Sequence, residues 1–285
     1  MSRLTTQKPI DYLLIGHITS DLQPDGSRKL GGTASFSGLT AHQLGHRVGL
    51  LTSYGDDAEI SALSPLQLYN AIPGQTTCFR NISTPQGRRQ YCYQQGSRLN
   101  FADVPSAWRK SAIVHLGPVV NEIDSDLFDG FADSMLCATP QGMLRSIAGD
   151  GSVTFRDLAD KERLLPRTQA VVLSFEDLQG DQHLVDEYAR LCQLLVITEN
   201  KDGARVYRNG EVRSFSAPGK NLVEDTGAGD IFAACFFHRL FKTRDPWEAA
   251  RFAIELSSNS VTRRYLDSVP RQEEIEHADA GYLNG

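Results

Sequence analysis

Short apolar runs, separated by polar and glycine-containing stretches, set the rhythm of this chain. Tyr12–Ile18 and Val48–Ser53 are two such runs near the start. Ala112–Leu116, Ser134–Ala138, Ala170–Leu173 and Leu194–Thr198 follow at wider spacing. Runs of this length without polar alternation predict strands buried on both faces. Thr33–Leu44, opened by Gly31-Gly32 and stopped by Gly45, reads as a helix between the first two strands. Gly227–Phe241 and Pro246–Arg264 read as closing helices. The alternation predicts an α/β fold: a doubly wound, mainly parallel sheet with helices on both faces.

One region breaks the rhythm. Thr76–Ile82 and Arg88–Gln95 alternate and mix aromatic with polar residues, with Pro85-Gln-Gly87 as a turn between them. That pattern predicts an antiparallel hairpin with one face open, not a strand covered on both sides. Together with strand material near Leu22–Leu30, it would form a small β lid over the sheet's C-terminal edge, where open α/β sheets bind ligands. The lid segments fall at about residues 19–31 and 74–98, inserted in a single domain over residues 1–285. If the hairpin's outer face paired with a second subunit, a homodimer through the lid would follow.

Composition narrows the function classes. The net charge of −6 speaks against a general affinity for nucleic acid or anionic lipid, so any phosphate site must build its positive potential locally. The five cysteines are scattered with no C-x-x-C, as in a reduced, cytoplasmic protein. Tyr12–Ile18 is too short for a signal peptide's apolar region, and no run approaches a membrane span.

The densest chemistry lies in Asn221–Asp230, which leads straight into an apolar helical run. Glycines at the mouth of a helix leave backbone N–H groups facing a ligand, and the helix dipole adds positive potential. Gly227, Ala228 and Gly229 would therefore form an anion hole. A carboxylate in the same turn repels phosphate and needs another reason to be there. Asp230 could take the proton from a hydroxyl attacking a phosphoryl group; alternatively it only complements the dipole.

Thr226-Gly-Ala-Gly-Asp230 resembles the C-terminal signature of the ribokinase-like (PfkB) family of sugar and nucleoside kinases. Gly31–Gly45, followed by Val48–Asp56, resembles the family's N-terminal signature. The ordered pair spans nearly the whole chain. The resemblance implies a carbohydrate kinase with a lid over its cleft, using ATP and Mg2+ to phosphorylate a hydroxyl of a small polyol. A nucleoside kinase of the same family, or a catalytically weak sugar- or nucleotide-binding protein on the same fold, are the alternatives. The family carries an Asp where Asp21 follows the first strand, and it places Gly31 and Gly32 beside the substrate.

Departures from the family pattern bear on the substrate. Where the family has a substrate-contacting Asn, this chain has Phe36, which offers an apolar wall toward ring carbons or shapes the cleft. In this, Gly-Gly-x-Ala-Ser-Phe resembles the myo-inositol kinase branch, which points to a cyclitol such as inositol ahead of a simple sugar. Leu116–Glu122 and Thr139–Arg145 follow apolar strands, so Asn121, Glu122, Gln141 and Arg145 should reach the ligand edge or else lie in surface loops. Ser174–Asp177 stands where the family organises magnesium-bound water, so Asp177 could act through water; a helix N-cap is the plainer alternative. Thr198, Asn200 and Gly203 resemble the nucleotide-side turn, with Asn200 replacing a glycine, and Thr226 completes that side. Glu224 replaces a family Asp.

Two other motifs are set aside. His42 and His46 have zinc-helix spacing, but the catalytic Glu is missing and Gly45 breaks the helix. A dinucleotide fingerprint fails because Phe232 replaces its third glycine.

Overall fold

The computed structural model describes residues 8–84 and 87–280. In chain order its strands are β1 (Tyr12–Ile15), β2 (Thr19–Leu22), β3 (Arg28–Gly31), β4 (Val48–Thr52), β5 (Gln67–Asn70), β6 (Thr77–Thr84), β7 (Gly87–Gln94) and β8 (Ile113–Leu116). They continue as β9 (Met135–Ala138), β10 (Arg145–Ile147), β11 (Val153–Phe155), β12 (Ala170–Ser174), β13 (Leu194–Thr198), β14 (Ala204–Arg208) and β15 (Glu211–Phe215). The helices are α1 (Thr33–Gln43), α2 (Lys161–Leu164), α3 (Gln182–Leu191), α4 (Ala228–Thr243), α5 (Pro246–Ser260) and α6 (Gln272–Ala280).

Among the described residues, nine strands form one sheet in the order β15-β14-β13-β12-β9-β8-β1-β4-β5. It is parallel except at β14 and β15. Alternation along β1 assigns its faces. Tyr12 and Leu14 join the core under α1, α4, α5 and α6, whereas Leu13 and Ile15 join the opposite core with Trp108, Leu164, Val185 and Tyr188. Burial on both faces explains why these strands read as unbroken apolar runs.

The lid is a second sheet, β3-β2-β6-β7. Its β6–β7 hairpin matches the alternating segment, though Pro85 and Gln86 of the expected turn lie outside the described residues. The β10–β11 hairpin extends it: Tyr91 bridges to Ser152, and the Cys92 N–H donates to the Gly151 carbonyl at 2.8 Å. Phe79, Cys92, Val119 and Val120, with Ile147 and Val153 packed on them, form the small core that joins the lid to the loop after β8.

Among the described residues, His46, His115 and His238 are held by hydrogen bonds in or beside the core. His46 Nε2 lies 2.8 Å from His238 Nδ1, and its Nδ1 lies 3.2 Å from Asp11 Oδ1. His115 bridges the Tyr12 hydroxyl (3.1 Å) and the Thr139 hydroxyl (2.9 Å). Burial pushes the pKa of His115 and of His238 down to about 3. Unfolding frees both to protonate near pH 6.5, so their contribution is intact above that pH and lost as pH falls toward 3. By pH 5 the loss should reach about 2 kcal/mol for each. The urea midpoint is therefore expected to be clearly lower at pH 5 than at pH 7.5, and equal midpoints would contradict neutral burial of these rings.

Candidate active site

Helix α4 begins at Gly227, whose backbone is left-handed (φ 84°, ψ −5°), with no side chain capping the helix. Ala228 N–H bonds back to the Asp225 carbonyl and Ile231 N–H to that of Gly227. Among the described residues, the N–H groups of Gly229 and Asp230 find no acceptor, and Gly229 faces open space. Two free donors at a positive helix end make an anion cradle. Asp230 stands in that first turn. Burial raises its carboxyl to about pKa 6, a rise that a hydrogen bond from Thr33 and the charge of Arg145 moderate and that of Asp177 adds to. A carboxylate poised there can accept a proton near neutral pH.

Arg145, at the start of β10, is oriented by two acceptors. Its Nη1 donates to the Val119 carbonyl at 2.8 Å and its Nη2 to Gln141 Oε1 at 3.1 Å. Gln141 Nε2 in turn donates to the Thr33 hydroxyl at 3.0 Å. Arg145, Gln141, Glu176 and Asp177 line a cleft of about 480 Å³ between the lid, the β10–β11 hairpin and the end of β12.

Asp177 sits in a turn with no helix behind it, so the N-cap alternative does not describe it. Its Oδ2 accepts the Ser174 N–H at 2.9 Å, while its own N–H donates to Ser174 Oγ at 3.0 Å. No cluster of three acidic, His or Cys groups suited to a metal occurs among the described residues. One carboxylate at the cleft suits magnesium, which keeps most of its waters and takes phosphate oxygens as ligands.

The other predicted residues divide into groups. Asp21 lies beyond core strand β1, in lid strand β2: Oδ1 accepts the Thr19 hydroxyl at 2.8 Å, and Oδ2 would be 2.7 Å from a Cβ on Gly31. A side chain at Gly31 would therefore displace the carboxylate. Gly32 follows as the cap of α1. Asn200 takes the left-handed conformation (φ 51°) and donates to Glu176 Oε1 at 2.9 Å, holding the turn from Thr198 to Gly203. Thr226 is partly buried, directly ahead of the α4 cradle.

Three placements differ from the sequence expectation. Glu122 is fully buried, and its carboxylate accepts the N–H groups of His17, Val119 and Val120 at 2.8–3.0 Å. It ties the loop after β1 to the loop after β8, with its oxygens committed to backbone rather than to a polyol. Asn121 has a left-handed backbone (φ 62°), and its carbonyl accepts from Arg98 at 2.8 Å, facing a different cleft. Phe36 is 1% exposed and lies beneath Gly227, so it supports the anion turn from below instead of presenting a wall to the cleft. Conversely, Thr33 read only as a helix start, and nothing local marks it as a partner of Asp230.

The model of the pfkB family of carbohydrate kinases matches residues 168–272. Over those residues the chain is similar to a pfkB-family carbohydrate kinase domain. A cytidine kinase of Thermococcus kodakarensis is 23% identical over 284 residues, covering 90% of this chain and 98% of that protein. An inositol 3-kinase of Zea mays is 36% identical over 107 residues, or 35% of this chain and 27% of that protein. Among solved structures, a pyrophosphate-dependent kinase in the ribokinase family, complexed with a pyrophosphate analog and myo-inositol, is similar with a TM-score of 0.78. It shares 21% identity and covers 93% of this chain and 99% of its own, a likeness of ribokinase-like fold. The family match contains Asp177, the Asn200 turn and the α4 cradle, whereas Gly31, Gly32 and Thr33 come from outside it.

Proposed function

We propose that this kinase transfers a phosphoryl group from ATP, with Mg2+, to a hydroxyl of a small polyol, a cyclitol such as inositol first. The observation that carries the reading is Asp230: a carboxyl raised to about pKa 6, in the first turn of a helix with no side-chain cap, where the N–H groups of Gly229 and Asp230 have no acceptor among the described residues. Asp230 takes the hydroxyl proton while the Gly227-Ala228-Gly229 turn steadies the transferring phosphoryl group through the free N–H groups of Gly229 and Asp230, the Ala228 N–H being spent on the Asp225 carbonyl. Magnesium, held by Asp177 through water, would neutralise charge on the donor phosphates. Arg145 supplies fixed positive charge at the same cleft. ATP is the donor that kinases of this family use, and the pyrophosphate-dependent neighbour makes pyrophosphate the donor to compare.

The cyclitol is supported by the inositol 3-kinase relative and the myo-inositol-bound neighbour. The cytidine kinase, matched over far more of the chain, supports a nucleoside acceptor as the second reading. Donor consumption with Mg2+ and either ATP or pyrophosphate, across cyclitols, hexoses, pentoses and nucleosides, separates them. Turnover highest with a cyclitol is the expected result. Turnover with nucleosides alone would move the acceptor to the second reading, and none with any acceptor would sink the kinase reading.

Asp21 provides a second check. As a carboxylate on the lid it would hold two substrate hydroxyls, so Asp21→Ala is expected to lower kcat/KM roughly 10- to 100-fold. An unchanged kcat/KM on the best acceptor would remove Asp21 from the substrate site.

A further inference from the structure

One tyrosine, partly buried against the core, joins the lid to the residues beneath the anion turn. Gln23, in the turn that follows β2, donates from Nε2 to the Asp21 carbonyl at 3.0 Å and to the Tyr265 hydroxyl at 3.1 Å. A carbonyl only accepts, so the Gln23 group facing it is the amide nitrogen, whose two protons are spent on these two bonds. Lys29 lies opposite Asp21 in the β2–β3 register, and its Nζ stands 4.1 Å from the centre of the Tyr265 ring. A cation over an aromatic face is attracted to it. Tyr265 is thus held by its hydroxyl and by its face, from one neighbour of Asp21 along the strand and one across it.

Tyr265 opens the short helical turn Tyr265–Ser268 that follows α5. Its backbone is left-handed (φ 51°), a region that a bulky residue enters only at a cost in strain and where the surrounding structure demands it. From there the ring meets Phe36 as well as Lys29, with the Phe36 ring centre 6.4 Å away. Phe36 lies beneath Gly227. A line of contacts therefore runs from the strand that carries Asp21, through Tyr265 and Phe36, to the turn that opens α4. A second tie from this hairpin, Arg28 Nη1 to Asp57 Oδ2 at 3.1 Å, joins side chains 43% and 45% exposed, where water screens it.

We propose that Tyr265 is a positioning residue for the acceptor: through Gln23 and Lys29 it fixes the lid strand carrying Asp21 relative to the α4 turn, and so sets the span an acceptor must fit. The inference rests on Asp21 holding the acceptor. The ring's contact with Phe36 belongs to packing, whereas the hydroxyl reaches the lid. Removing the hydroxyl alone therefore reads out positioning. An Asp21 carboxylate that is shifted or loosely held still meets hydroxyls, but in poses that present the acceptor less well to the phosphoryl group.

The test uses the full chain and its best acceptor. Tyr265→Phe keeps the ring and removes the hydroxyl. It is expected to lower kcat/KM for the acceptor roughly 3- to 10-fold, with the donor KM changed by less than about twofold. Amide exchange over β2 and β3 should quicken in this variant while that of β1 and β4 stays as in the wild type. In the Asp21→Ala background, Tyr265→Phe should cost less than about twofold more, because the group it positions is already gone. Wild-type kcat/KM in Tyr265→Phe overturns the proposal, as does unchanged exchange over β2 and β3, or a loss fully additive with that of Asp21→Ala. A normal Asp21→Ala removes Asp21 from the substrate site, and this role with it. Loss in Asp21→Ala beside a normal Tyr265→Phe overturns the positioning role alone and leaves the reading of Asp21 standing. Absence of turnover with any acceptor, which sinks the kinase reading, ends this role too.

Discussion

Asp230→Asn is expected to lower kcat by roughly 10²- to 10⁴-fold while leaving donor binding largely intact. The amide matches the carboxylate in shape and can still meet the Thr33 hydroxyl. What it loses is the ability to take a proton. Wild-type activity should fall as pH drops through about 6, where the carboxyl becomes protonated. The same variant should be the more stable protein at neutral pH. A carboxyl whose folded pKa lies above its unfolded value near 3.8 contributes stability that is full at low pH and is lost as pH rises through 6. Its ionisation at pH 7.5 then costs on the order of 1–3 kcal/mol, which the neutral amide avoids. A slower enzyme with a higher Tm is the combined result, a trade expected where a site holds a charge out of water. Near-normal turnover would sink the assignment. A Tm below wild type would mean that the ionised carboxylate is held by favourable contacts.

How far the sequence reaches depends on whether a signal is local. The buried strands and α1 were legible because a parallel strand covered on both faces carries its apolar run within five residues. The lid hairpin was legible from its alternation. The β14–β15 hairpin was missed although Asn209-Gly210 stands at its turn with both residues at positive φ (51° and 80°), the strongest short hairpin signal. The β10–β11 hairpin offered less, because its strands are three residues each and no period can be read from three. Yet that hairpin carries Arg145 into the cleft.

The site divides the same way. The anion turn and Asp230 were readable because glycine, helix start and carboxylate are adjacent. Glu122 was misplaced because a carboxylate bound by three backbone N–H groups has the same sequence appearance as one awaiting a hydroxyl. Thr33 was missed because its donor, Gln141, lies 108 residues away. Phe36 was misread for a related reason: its neighbour is Gly227, reached only when α1 packs beside α4.

That pairing yields the second large effect. Gly227→Ala is expected to damage stability and turnover together. The residue sits at φ 84°, where a side chain costs roughly 1–2 kcal/mol. The added methyl would also lie 2.3 Å from Phe36 Cδ1 and 2.5 Å from Cγ and Cε1, inside van der Waals contact. Phe36 has little room to yield, being 1% exposed with the Tyr265 ring 6.4 Å away. Overpacking of this kind adds roughly 1–3 kcal/mol. If the turn shifts to relieve it, the N–H groups leave the phosphoryl position, and misplacing such donors costs about 10²- to 10³-fold in kcat. Phe36→Ala alone should destabilise by about 3–5 kcal/mol through the cavity it leaves. The double variant decides whether ring and turn share space, because the cavity can house the new methyl. Its loss in stability should be smaller than the sum of the single losses by roughly 1 kcal/mol or more. Turnover should stay low, since removing the ring does not relax the left-handed backbone. Strictly additive losses in urea denaturation would mean that Phe36 does not support the turn, and recovered turnover would mean that the clash, not the backbone, is what Gly227 avoids.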